Sequence, residues 1–115
     1  MTDDGRPVYL RLRDIIAGSI LDGTYADGEM LPSVRAFATQ QGANPLTVAK
    51  AYQSFQDEGL VLVRRGVGMF VAQGASRKLR EMERERFFAT VWPPVADQMQ
   101  RIGITLGDLA AHSDI

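Results

Sequence analysis

Bases, hydroxyls and amides, with no acid among them, are what the middle of this sequence offers for chemistry. No acidic residue occurs between Glu29 and Asp57, although the whole chain carries 14 acids against 13 bases. Over residues 33 to 74, Arg35, Lys50, Arg64 and Arg65 stand against two acids, Asp57 and Glu58. Clustered bases bind anions, and an acid on a surface that meets a polyanion costs affinity by like-charge repulsion. A net charge of −1 gives no general attraction, so the distribution alone carries this reading. Catalysis finds no support. The chain has no cysteine, its single His112 lies near the C-terminus, and no nucleophile–base pair suggests itself. Arg64-Arg65-Gly66-Val67-Gly68 lacks the Lys-Ser/Thr and the following helix of a phosphate-binding loop. Metal and cofactor sites are not expected, because one histidine and no thiolate make no ligand set.

The elements that would position these residues follow from periodicity. Val8, Leu12, Ile16 and Ile20, with Ile15 beside them, predict one apolar stripe on a helix over residues 8 to 21. A turn-rich connector follows, with room for a short strand at Glu29 to Leu31. Ser33 can cap a second helix over 34 to 41, with Val34, Phe37, Ala38 and Gln41 facing inward. Gly42 can take the positive φ of a sharp helix end. Asn44 as cap and Pro45 in the first turn open a third helix. Its inner side is Val48, Ala51, Tyr52 and Phe55; Leu46, Ala49, Lys50 and Gln53 lie opposite. Leu60 to Arg64 and Met69 to Gln73 read as two strands of a hairpin turning at Gly66 and Gly68.

Two helices joined by a short glycine-containing turn are a helix-turn-helix candidate. In that motif the second helix enters the DNA major groove by its N-terminal residues. Small Ala49 permits close approach, Thr47 and Lys50 can reach phosphate or a base edge, and Leu46 suits a thymine methyl. A basic glycine-containing hairpin tip at Arg64, Arg65 and Gly66 suits the DNA backbone or minor groove. The same pattern also arises from plain helix packing beside a solvated turn, and the residues by themselves leave both readings open.

The stretch from Pro7 to Ala72 resembles the winged-helix domain of GntR-family bacterial transcription regulators. "LPSVRAFA", "NPLTVAKAYQ", "EGLV" and "RRGVGMFV" carry the resemblance in the right order and spacing. With only a short tail after it, the chain looks like the YtrA subfamily. The resemblance implies an α+β fold, with a winged helix-turn-helix DNA-binding domain over residues 1 to 74. A short helical dimerisation segment would follow over 75 to 115. It implies DNA contacts at Arg35, Asn44, Leu46, Thr47, Arg65 and Gly66, to which the reading of the residues adds Lys50 and Arg64. Pro45 and Ala49 stand where many relatives outside the subfamily have arginines, which shifts weight to Arg35, Lys50 and the wing. It further implies a repressor of a neighbouring, often transporter, operon, with GT…AC half-sites in the operator.

The tail supplies Leu79, Met82, Phe87, Phe88, Val91, Trp92, Val95 and Met99, then Ile102, Leu106 and Leu109. That is more apolar surface than about 40 residues hide alone, which predicts a homodimer; the alternative is a tail folded back onto its own winged helix. Trp92-Pro93-Pro94 is expected to interrupt the tail helix, and Thr105 with Asp108 to cap a last helical turn. A segment this short leaves a cleft between subunits, at Trp92 and the two phenylalanines, as the place for any small-molecule effector. The N-terminus lacks an apolar signal region and no run spans a bilayer, so a cytoplasmic protein is expected. The competing reading is a winged helix that uses Leu46 and the tail to grip another protein, with no DNA role.

Overall fold

The computed structural model describes residues 7 to 113. The chain forms two compact units, Met1–Arg80 and Glu81–Ile115. Helix α1 is Val8–Leu21, α2 is Val34–Gln41 and α3 is Pro45–Asp57. Strands β1 (Val61–Arg64) and β2 (Gly68–Val71) pair antiparallel, with Val61 opposite Val71 and Arg64 opposite Gly68. Helix α4 (Ala75–Arg86), a π-helical turn (Phe87–Val91), α5 (Trp92–Ile102) and α6 (Leu106–His112) complete the order. No helix among the described residues is long and apolar enough to cross a membrane.

The first unit is a winged helix built around one apolar core. Ser33 Oγ accepts from the Ala36 amide at 3.0 Å, and Asn44 Oδ1 accepts from the Leu46 amide at 2.8 Å. Each cap satisfies a donor that the first turn of a helix leaves open. Between the two helices Gly42 adopts φ 62°, a left-handed conformation that side chains with Cβ resist. Val48, Ala51, Tyr52 and Phe55 of α3 are buried, as their spacing predicts. Tyr52 keeps its hydroxyl satisfied by donating to the Pro32 carbonyl at 2.7 Å, and burial pushes its phenol well above the usual range.

Four expectations about packing need correction. On α1, Ala17 is buried with Leu12, Ile16 and Ile20, which turns the covered arc away from Val8 and Ile15; both are exposed. Gln41 is exposed, because the chain leaves the helix at Gly42 just beyond it. The segment at Glu29 to Leu31 forms a single bridge, Met30 to Phe70, and no longer ladder. Leu31 donates to Met69 and Val71 donates to Glu29, and the pairing ends there because Ser33, the next residue that could donate across it, already caps α2. Leu79, expected on a dimer face, is wholly buried in the core cluster with Ala75 and Val71. It offers no surface to a partner.

The expected break at Trp92 is also corrected. Prolines 93 and 94 cannot donate to the carbonyls one turn earlier. Instead of stopping, the helix widens to a π turn, with the Trp92 amide bonded to the Phe87 carbonyl five residues back. The two prolines then lie in the first turn of α5, where amides have no helical partner anyway. Gly103 ends α5, and Thr105 and Asp108 exchange two hydrogen bonds of 2.9 and 3.1 Å as a capping box for α6.

Candidate nucleic-acid interface

The surface expected to carry recognition is assembled from the starts of α2 and α3 and from the β1–β2 hairpin. Leu46, Ala49, Lys50 and Gln53 are exposed on α3, opposite its buried side. Leu46 is 81% exposed, the most of any large apolar residue among the described residues. Thr47 is half-buried beside it. Asn44 is exposed but its side-chain oxygen is committed to the cap, which leaves its amide group free to donate. Arg35 is exposed in the first turn of α2.

The hairpin tip is a three-residue loop, Arg65-Gly66-Val67, closed by the Val67 amide bonding to the Arg64 carbonyl at 2.9 Å. Arg64, Arg65 and Gly66 are all exposed. The Arg64 guanidinium lies 4.7 Å from the centre of the Phe70 ring, its diagonal neighbour across the strands. Gly68 is opposite Arg64 and has φ 153°; a Cβ there would lie 2.8 Å from Met30 Sδ. Glycine therefore lets Met30 close under the wing. An open apolar groove of about 650 Å³ separates the wing from the start of α2. Met30, Pro32, Val34, Val63 and Met69 line it, and Arg64 and Arg65 edge it. Thus wing and α2 face each other across one groove.

The two acids that close the acid-free stretch are both engaged. Glu58 accepts two bonds, of 2.6 and 2.8 Å, from Arg13 of α1, and Asp57 accepts from Gln53 at 2.8 Å. Arg13 also donates to Ser54 at 3.1 Å and lies 4.9 Å from the Phe55 ring centre. Three residues were missed from the sequence. Tyr9 lies beneath the Lys50 ammonium at 4.2 Å, Arg13 clamps the end of α3, and Val67 is exposed on the wing tip. Only Val67, between two glycines in the basic tip, had a local signal. Tyr9 and Arg13 act across more than 40 residues of sequence, which no periodicity reports.

Of the residues expected at a dimer face, Phe87, Phe88, Val91 and Val95 are exposed. The two phenylalanine rings meet edge to face, centroids 5.2 Å apart. Met82 and Trp92 are half-buried and Met99 is buried. Ile102, Leu106 and Leu109 add exposed apolar area in the same unit.

Comparison with known proteins agrees with this architecture. Residues 8 to 71 match the family described as bacterial regulatory proteins, gntR family. The chain is 31% identical over 100 residues to the uncharacterized HTH-type transcriptional regulator YhcF of Bacillus subtilis. That match covers 87% of this chain and 81% of YhcF. It is 37% identical over 75 residues to the HTH-type transcriptional repressor YtrA of the same organism, covering 65% of this chain but 58% of YtrA. A GntR family transcriptional regulator from Listeria monocytogenes superposes with TM-score 0.75 at 26% identity, covering 96% of this chain and 95% of that one. The DNA-binding domain of AraR, solved in complex with operator ORX1, superposes with TM-score 0.56 at 27% identity, covering 58% of this chain and 81% of that one. These relatives are regulators and not enzymes. With the matched residues spanning the whole winged helix, from the first turn of α1 to the end of β2, the chain belongs to the GntR family of bacterial regulatory proteins, and its likeness extends to YtrA-type members.

Proposed function

We propose that this chain is a dimeric, sequence-specific DNA-binding repressor of the cytoplasm, acting on a partly palindromic operator, in the manner of regulators of transporter operons. The observation that carries the reading is Leu46, an apolar residue left 81% exposed in the first turn of α3, within a stretch that holds Arg35 and Lys50 and no acid between Glu29 and Asp57. Solvent gives such a leucine no role, whereas a thymine methyl in the major groove does. Arg35, Asn44, Thr47 and Lys50 accompany it as backbone and base contacts, and Arg64, Arg65 and Gly66 act from the wing. The AraR domain supports the reading, because a comparable fold was solved on an operator.

One winged helix makes few contacts, and a symmetric dimer reading two half-sites is the general remedy. Phe87, Phe88, Val91 and Val95, with Ile102, Leu106 and Leu109, supply the apolar surface for that dimer within residues 75 to 115. In this division residues 1 to 74 read DNA, and Ala75 and Leu79 of α4 close its core. Footprinting on the DNA upstream of the gene tests the proposal. Two protected half-sites related by dyad symmetry, lost when salt is raised, are expected. A protein that binds another protein through Leu46 and the tail would leave that DNA unprotected at every salt concentration.

A further inference from the structure

Lys50 is the one base on the outward side of α3, and its ammonium is not left to swing in solvent. Its Nζ lies 4.2 Å from the centre of the Tyr9 ring. Among the described residues no carboxylate forms an ion pair with Lys50. The contact is built into the packing of α1 along α3. Tyr9 precedes Arg13 by one helical turn, and Lys50 precedes Ser54 by one helical turn. Arg13 bonds Ser54 and holds Glu58 by two hydrogen bonds. Equal spacings on both helices mean that the register fixed by this clamp also sets Tyr9 under Lys50.

We infer that Tyr9 is a positioning residue for DNA recognition: its ring holds the Lys50 ammonium in place while leaving the positive charge uncancelled. The inference rests on the DNA-binding reading above. A carboxylate in the same place would neutralise the lysine just where phosphate must find it. An aromatic face attracts the cation through its quadrupole, carries no net charge, and leaves other N–H donors of the ammonium open. A lysine side chain is among those with most rotamer freedom to lose on ordering. Confining it before DNA arrives lowers that loss on binding. Tyr9 itself need not touch DNA.

The test is a double-mutant cycle read by fluorescence anisotropy on the footprinted duplex, using the full chain. An exposed cation–π contact of about 0.5–1 kcal/mol lost in each of two subunits on one operator corresponds to a loss of about five- to thirty-fold. Tyr9→Leu should therefore weaken binding by that factor, and Tyr9→Phe, which keeps the ring, should not. In a Lys50→Met background Tyr9→Leu should change affinity by less than about 1.5-fold, because interacting residues are not additive. Equal losses in both backgrounds, a loss for Tyr9→Phe, or tighter binding by Tyr9→Leu would each overturn the inference. NMR of the free protein supplies a readout independent of DNA: the ring current should shift the Lys50 side-chain methylene protons upfield, and Tyr9→Leu should abolish the shift. Unshifted Lys50 protons in the wild type reject the positioning contact. A shifted Lys50 on a protein that binds no DNA rejects the DNA-binding reading, and with it a role for Tyr9 in recognition.

Discussion

Replacing Leu46 by alanine separates recognition from folding, because the side chain is 81% exposed before any partner arrives. Surface changes of this kind alter stability by no more than about 0.5 kcal/mol, and alanine is the better helix former. The substitution removes three carbons, worth about 2.4 kcal/mol if all were buried at about 0.8 kcal/mol each. Insertion against a base edge covers about half of a side chain, so about 1 kcal/mol is expected per subunit on that scale. Two subunits on one operator give about 2 kcal/mol, or about 30-fold in affinity. Anisotropy titrations with the operator duplex, and with the same duplex carrying deoxyuridine for thymidine, measure it. The uracil duplex lacks the C5-methyl groups but keeps every hydrogen-bonding edge. Wild-type protein should bind it more weakly, and Leu46→Ala should bind both duplexes alike. If Leu46→Ala matches wild type on the normal duplex within two-fold, Leu46 meets no base. If its melting temperature falls by several degrees, the leucine supports the fold instead.

Arg65→Ala should reduce affinity for operator and for unrelated duplex to a similar extent, and lower the slope of log affinity against log salt by about 1 for each phosphate no longer neutralised; an unchanged slope removes Arg65 from the phosphate-binding surface. Leu79→Ala should destabilise the protein to urea by about 2–5 kcal/mol, since a buried leucine leaves a cavity when truncated; a shifted dimer equilibrium at unchanged stability would return Leu79 to the interface. Asp27 accepts hydrogen bonds from the Gly74 amide at 2.8 Å and the Ser76 amide at 3.2 Å, which hold its carboxyl below the usual range. A depressed carboxyl stabilises the fold above its unfolded value of about 3.9 and loses that contribution as pH falls through the lower folded value. Urea midpoints of wild type and Asp27→Asn should therefore differ at pH 7 and converge in acid; a constant gap would show that the effect is not ionic.

Local signals were legible in the sequence because their physics is local. Ser33, Asn44-Pro45, Gly42 and the Thr105–Asp108 pair each act within a single helical turn, and all four stand where composition places them. The buried side of α3 was equally readable, since one helix face meets one core. Exposed Leu46 was visible as an apolar residue on the wrong face. The tail was read less well. Trp92-Pro93-Pro94 signals a break, yet a π turn lets the chain remain helical through it. Composition says that prolines lack amides but not that the preceding turn can widen to accommodate them.

By itself, then, the chain of amino acids determined the order of the helices, their caps, the hinge at Gly42 and the absence of any acid between Glu29 and Asp57. All are consequences of dihedral preference, periodicity or charge, which depend on near neighbours. Only the tertiary structure decided that Leu79 belongs to the core, that Ala17 displaces Val8 and Ile15, that Gly68 admits Met30 beneath the wing, and that Arg13 and Tyr9 reach α3. Each of these depends on which surface of one element meets another, and that choice is made by close packing among residues far apart in sequence.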